Sequence, residues 1–164
     1  MATITFQGKP LHTSGELPAV GSKAPDFYLA NDKLVDVTLA TYAGKKKVLN
    51  IVPSLDTPTC AISTRVFNEK ASHWHNTVVL VISADLPFAQ CRFCEVEGLK
   101  HVIPLSTFRS SFAEIYGVKL ADSILAGLTA RAVIIIDEQD NVVYTELVSE
   151  LANEPNYESA LAAL

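Results

Sequence analysis

Val48-Leu49-Asn50-Ile51-Val52-Pro53-Ser54-Leu55-Asp56-Thr57-Pro58-Thr59-Cys60 reads as a strand, a break and the start of a helix in direct succession. The first five residues are mostly β-branched or aliphatic and suit a buried central strand. Pro53 ends it, because proline has no N–H to give to a sheet ladder. Thr57 stands where a helix N-cap belongs, and Pro58 occupies the first helical position, where a missing N–H costs nothing. Cys60 therefore falls in the first turn of a helix that directly follows a buried strand, an arrangement typical of α/β folds.

Working outward, strands and helices alternate on both sides. Upstream, Ile4 and Phe6 alternate with polar residues and Gly8-Lys9-Pro10 breaks the run, which predicts an N-terminal hairpin. Phe27-Tyr28-Leu29 suggests a strand and Asn31-Asp32 a turn. Val35, Val37 and Leu39 alternate as on a half-buried strand. Lys45-Lys46-Lys47 reads as a solvated loop rather than an anion site. Ile62, Val66 and Phe67 supply an apolar face for the helix after Pro58. Downstream, residues 77–84 predict a strand, and a helix opening at Asp85-Leu86-Pro87 carries Cys91 and Cys94 and stops at Gly98. A strand over 101–105, a helix over 110–116 ended by Gly117 and a strand over 132–136 follow. Asp140-Asn141 turns the last of these into a hairpin with 142–147, and a helix spans 155–164. Hairpins at both ends of an alternating core predict a mixed sheet flanked by helices, in one domain over residues 1–164.

The bulk properties exclude several roles. With 164 residues and a net charge of -5, the chain lacks the basic face of a nucleic-acid binder and has no charge to dock on anionic membranes. Its longest apolar runs, residues 78–82 and 132–136, are too short to span a bilayer. No targeting segment is visible, so the expected compartment is the reducing cytoplasm, where a disulfide is transient and catalytic. The three cysteines, Cys60, Cys91 and Cys94, are too few for a disulfide scaffold.

Cys60 carries the chemistry. Unpaired N–H groups of the first helical turn and the positive end of the helix dipole favour its thiolate. The Thr57 hydroxyl is placed to reach the sulfur or a ligand on it, and Pro53 shields the pocket. Arg131 stands directly before the apolar run of residues 132–136; a cation entering a buried strand needs an anionic partner, and a thiolate or a structural carboxylate would serve. Cys91 lies a helical turn from Cys94 and reads as a core residue. Two other readings use the same residues: a dithiol oxidoreductase built on the CxxC of Cys91-Arg92-Phe93-Cys94, and a zinc module of Cys91, Cys94, His73 and His75.

The pattern of Pro53, Thr57 and Cys60 resembles the active-site signature of the peroxiredoxins. Ala24-Pro25-Asp26-Phe27 is similar to a segment many of them carry near the start. Asp85-Leu86-Pro87-Phe88-Ala89-Gln90, Arg92-Phe93-Cys94 and Glu97-Gly98-Leu99 resemble the bacterial thiol peroxidases, and the likeness spans essentially the whole chain. The resemblance implies a thioredoxin-like fold with an added N-terminal hairpin, reduction of hydroperoxides (organic ones and hydrogen peroxide), a homodimer, thioredoxin as reductant and no cofactor. It places the peroxidatic cysteine at Cys60, the supporting threonine and arginine at Thr57 and Arg131, and the resolving cysteine at Cys94. Cys91 is additional to that pattern.

Overall fold

The computed structural model describes residues Met1–Leu164. Strands β1 (Thr3–Phe6) and β2 (Lys9–His12) form the N-terminal hairpin. The chain then supplies β3 (Leu29–Ala30), β4 (Asp36–Val37), β5 (Lys46–Ile51), α1 (Pro58–Ala71), β6 (Thr77–Ser83), α2 (Pro87–Glu97), β7 (Ile103–Ser106), α3 (Phe112–Ile115), β8 (Ala132–Ile136), β9 (Val142–Leu147) and α4 (Tyr157–Ala162). Seven strands pair in the order β4-β3-β7-β6-β5-β8-β9. The centre, β5-β6-β7, is parallel, joined through α1 and α2; the pairs on either side are antiparallel. The sheet is mixed, as expected.

Strand alternation divides the core in two. Leu49 and Ile51 of β5 face Phe27, Phe112 and Tyr116, whose rings pack edge-to-face and stacked. Val48 and Val52 face the other side, where Phe67 of α1, Phe93 and Cys94 of α2, and Tyr157 and Ala160 of α4 meet Cys60. The hairpin makes a third, smaller cluster from Ile4, Leu11, Leu120, Ala130 and Leu151. It is tied to the segment after β9 by Thr5 N–H to the Ser149 carbonyl and Leu151 N–H to the Thr5 carbonyl, both 2.8 Å.

Several local expectations are corrected. The hairpin turns at Gln7-Gly8, both at positive φ, and Pro10 lies within β2. Residues 35–39 form only the two-residue β4 before a 3₁₀ turn over Leu39–Tyr42. The lysine run is not a solvated loop: Lys46 and Lys47 belong to β5, and the Lys47 side chain is fully buried. Its Nζ donates to Asp140 Oδ1 at 2.8 Å and to the Lys45 carbonyl at 3.0 Å, partners that make burial of the charge tolerable. The buried face of α1 runs through Cys60, Ser63, Thr64 and Phe67, while Ile62 is exposed. The helices expected over 110–116 and 155–164 shrink to α3 and α4. The strand expected over 101–105 is shifted toward the C-terminus, over Ile103–Ser106.

Candidate active site

The site is assembled where β5 gives way to α1. Val52 leaves the sheet with its carbonyl accepting from Thr129 Oγ1 at 2.6 Å, which fixes the point where Pro53 turns the chain. The loop from Pro53 to Thr57 is held by Asp85, just after β6. Its carboxylate accepts from Ser54 Oγ (2.7 Å), Leu55 N–H (2.8 Å) and Ser83 Oγ (2.7 Å), and its carbonyl accepts from Ser106 Oγ (2.6 Å). Gln90 of α2 joins the network, donating to Ser83 Oγ at 3.0 Å and the Leu105 carbonyl at 2.8 Å. One carboxylate thus sets the loop before Cys60 against the root of the helix that carries Cys94.

Thr57 has the extended backbone of an N-cap, but its side chain does not cap the helix. The hydroxyl donates instead to the Ser54 carbonyl at 3.0 Å, which leaves its oxygen free to accept. The N–H groups of Thr59 and Cys60 then have no acceptor within the helix. Cys60 is completely buried in the apolar cluster between α1 and the sheet. Ser63 and Thr64 donate to its carbonyl at 3.1 and 2.8 Å, which holds the first turn rigid.

Beside the helix start lies a cavity of about 260 Å³. Pro53, Thr57 and Arg131 all line it, together with the apolar side chains of Phe6, Leu125 and Leu128. The structure therefore brings three of the residues singled out in the sequence to one place, next to the turn that carries Cys60. Arg131 is 2% exposed. Its Nε donates to the Leu151 carbonyl at 2.9 Å, and its buried Nη1 has no partner in the protein. It belongs to none of the ion pairs of the chain, so the structural carboxylate entertained from sequence is not there. The N-terminal hairpin contributes indirectly, since it grips the segment whose carbonyl orients Arg131, and directly, through Phe6.

Cys94 lies on α2, half-buried, and packs against the same apolar cluster as Cys60. Burial, reinforced by the neighbouring Cys91, pushes its thiol up to about 11. A groove of about 570 Å³, lined by Thr57, Ala61, Phe93 and Val96 among others, runs between the two cysteine-bearing helices. All three thiols are free. Cys91 is not the core residue expected from its spacing: it joins none of the buried clusters and opens with Cys94 onto a second cleft. His73 and His75 are exposed beyond the end of α1, and no three His, Cys, Asp or Glu side chains converge as metal ligands. Asp85, Ser54 and Gln90 build the site without any chemical signal of their own in the sequence; Asp85 and Gln90 lie in the 85–90 block that carries the resemblance, and only the Asp-Leu-Pro helix start is legible locally.

Cys60 itself does not line the cavity, but Thr57, Pro58 and Thr59 of the turn that carries it do, so a buried thiol lies one layer behind a cavity with an unpartnered cation, an arrangement suited to thiolate chemistry. Comparison with known proteins identifies the family. Residues 19–161 match the Redoxin family. Thiol peroxidases of Mycobacterium tuberculosis (strain H37Rv) and Mycobacterium bovis are 54% identical over 164 residues, covering 100% of this chain and 99% of theirs. A peroxiredoxin-like protein from Aquifex aeolicus superposes with a TM-score of 0.93 at 38% identity, covering 99% of this chain and 95% of that one. A thiol peroxidase from Chromobacterium violaceum, 24% identical, shares the fold with a TM-score of 0.92 over the same shares of the two chains. The chain belongs to the Redoxin family, and within it to the thiol peroxidases. Its fold is thioredoxin-like, with the added N-terminal hairpin.

Proposed function

We propose that this thiol-dependent peroxidase works through Cys60 as peroxidatic nucleophile and Cys94 as resolving thiol, with residues 1–164 acting as one catalytic domain. The observation that carries the reading is Arg131. It lines the cavity with Thr57 and Pro53, and its buried Nη1 has nothing else to bond. A buried donor left unpaired is costly unless a ligand completes it.

In the proposed cycle the Cys60 thiolate attacks one peroxide oxygen. The O–O bond breaks, an alkoxide or hydroxide leaves and takes a proton from solvent, and Cys60 becomes a sulfenic acid. Arg131, the Thr57 hydroxyl and the free N–H groups of Thr59 and Cys60 stabilise the charge on the departing oxygen. The Cys94 thiol then condenses with the sulfenic acid, expelling water and forming a Cys60–Cys94 disulfide. Thioredoxin returns two electrons and two protons by thiol–disulfide exchange. A bridge requires Cα atoms within about 7 Å; Cys60 is fully buried, whereas α2 buries only Pro87 and Gln90, so any approach of the two thiols falls to α2. The groove between α1 and α2 gives it room.

The apolar walls of the 260 Å³ cavity support organic hydroperoxides as substrates alongside hydrogen peroxide. No helix is long and apolar enough to cross a membrane. Antioxidant defence in the cytoplasm is the setting that suits a recycling disulfide. Exposed Leu86 and Phe88 at the start of α2 support a homodimer.

Peroxide consumption coupled to thioredoxin, thioredoxin reductase and NADPH tests the cycle. Cys94→Ser is expected to stop after about one equivalent of peroxide per chain. Sustained thioredoxin-linked turnover by that variant would overturn the role of Cys94.

A further inference from the structure

We infer that Cys91 and Cys94 form a dithiol relay, in which Cys91 takes over the disulfide and leaves an intrahelical Cys91–Cys94 bridge as the form met by the reductant. This rests on the Cys60–Cys94 disulfide proposed above.

Cys91 and Cys94 stand three residues apart on α2 and line one cleft of about 450 Å³, with Asp32, Glu95, Leu99 and Lys100. Cys94 also packs against the cluster that encloses Cys60. It therefore borders both environments, the core around Cys60 and the outer cleft, whereas Cys91 borders only the cleft. The helix is held unevenly. Pro87 and Gln90 are buried, and Gln90 makes the two hydrogen bonds that root α2 in the sheet. Beyond it, Phe93 and Cys94 pack on the inner cluster without being buried, Val96 is 78% exposed, and the Glu97 side chain is held by a surface ion pair with Arg65. When α2 loosens after Gln90, Cys91 and Cys94 leave together, and Cys91 stays within the reach of a three-residue tether whenever Cys94 is bridged.

The exchange balances internally. The Cys91 thiol gives its proton to solvent, and its thiolate attacks Cys94 Sγ in the Cys60–Cys94 disulfide. The Cys91–Cys94 bond forms, the Cys94–Cys60 bond breaks, and Cys60 departs as a thiolate. No electrons enter or leave, and the dithiol reductant later supplies two to the new bridge. Side chains three apart on a helix have Cβ atoms about 5–6 Å apart, against about 3.8 Å in a disulfide, so the bridge tightens the helix and is strained. Strained, exposed disulfides are the readily reduced ones.

The groups facing Cys91 set the pH dependence. Glu95, whose Oε1 is 3.6 Å from its sulfur, and Asp32 across the cleft oppose its ionisation, Cys94 adjoins it, and Lys100 is the one cation on the cleft. Desolvation first, then these carboxylates, raise the Cys91 thiol above its ordinary value. The transfer rate is therefore expected to rise about tenfold per pH unit between 7 and 8.

Trypsin separates all three cysteines, because cleavage after Lys47, Arg65, Lys70, Arg92 and Lys100 yields peptides 48–65, 71–92 and 93–100. Reduced protein is mixed with one equivalent of peroxide, quenched with N-ethylmaleimide at intervals and mapped by mass spectrometry without reduction. The relay predicts an early 48–65/93–100 link that decays into a 71–92/93–100 link, faster at pH 8 than at pH 7. With excess peroxide and no reductant, the wild type then consumes about two equivalents or more and Cys91→Ser about one, because only the relay returns Cys60 for a second attack and leaves its sulfenic acid without a resolving thiol. A wild type that keeps the 48–65/93–100 link at both pH values and consumes one equivalent overturns the relay but not the disulfide. A Cys91→Ser protein with no link to 48–65 overturns the underlying disulfide, and a 48–65/71–92 link overturns both.

Discussion

The first turn of α1 and the last two turns of α2 differ in how firmly each is held. Around Cys60, the groups that shape the loop and the helix start are committed, and the unpaired donors are those that face a ligand. Asp85 takes three hydrogen bonds through its carboxylate, Thr129 fixes Val52, Thr57 closes back on Ser54, and Ser63 and Thr64 secure the Cys60 carbonyl. Beyond Gln90, α2 has exposed Val96, a surface ion pair and a left-handed Gly98 at its end. In the proposed cycle, attack on a peroxide demands placement to a fraction of an ångström, while delivery of a second thiol demands movement of several. The two demands are met by different stretches of chain, joined at Asp85 and Gln90.

The sharpest way to break the contrast is to remove the cation from the rigid side. Arg131→Ala is expected to lower the second-order rate with peroxide by about 10²–10³, as loss of a preorganised donor does. Full ionisation of an ordinary thiol gains only about ten- to thirtyfold at neutral pH, so the loss should exceed any change in Cys60 ionisation. Stopped-flow rates compared with the pH profile of Cys60 alkylation decide it; equal losses in both would refute a role for Arg131 on the leaving oxygen.

Next comes the brace. Asp85→Ala strands Ser54 Oγ, Ser83 Oγ and the Leu55 N–H, and is expected to cost about 1–3 kcal/mol in urea denaturation. Misplacing the loop should slow peroxide attack by up to about a hundredfold. Loss of stability with an unchanged rate would mean that Asp85 holds the fold and not the site.

The smallest effect is expected on α2. Gly98 has φ +66 and nothing within 4 Å of an added Cβ, so Gly98→Ala introduces backbone strain alone, about 1 kcal/mol. If α2 opens from this end, disulfide formation should accelerate about fivefold while peroxide attack stays the same. Slower disulfide formation would place the opening elsewhere.

What was legible in the sequence follows from how local each signal is. The strand, Pro53, Thr57 and Cys60 sit in one short stretch governed by strand and cap rules, and Arg131 announces itself as a charge beside an apolar run. Asp85 reaches Ser54 across the fold, a contact no spacing encodes. The burial of Lys47 is illegible locally because its partner, Asp140, lies in the turn between β8 and β9. Ile62 was assigned to a buried face that belongs to Ser63 and Thr64, whose hydroxyls bond the helix backbone and so can be buried. The two-residue strands β3 and β4 are too short for periodicity to register.

The most direct test is peroxide consumption by reduced protein in a single turnover, wild type against Cys60→Ser, with Cys91 and Cys94 intact in both. A rapid phase is expected in the wild type and none in Cys60→Ser beyond the slow reaction of an ordinary thiol. A Cys60→Ser protein that keeps the rapid phase would contradict the role of Cys60.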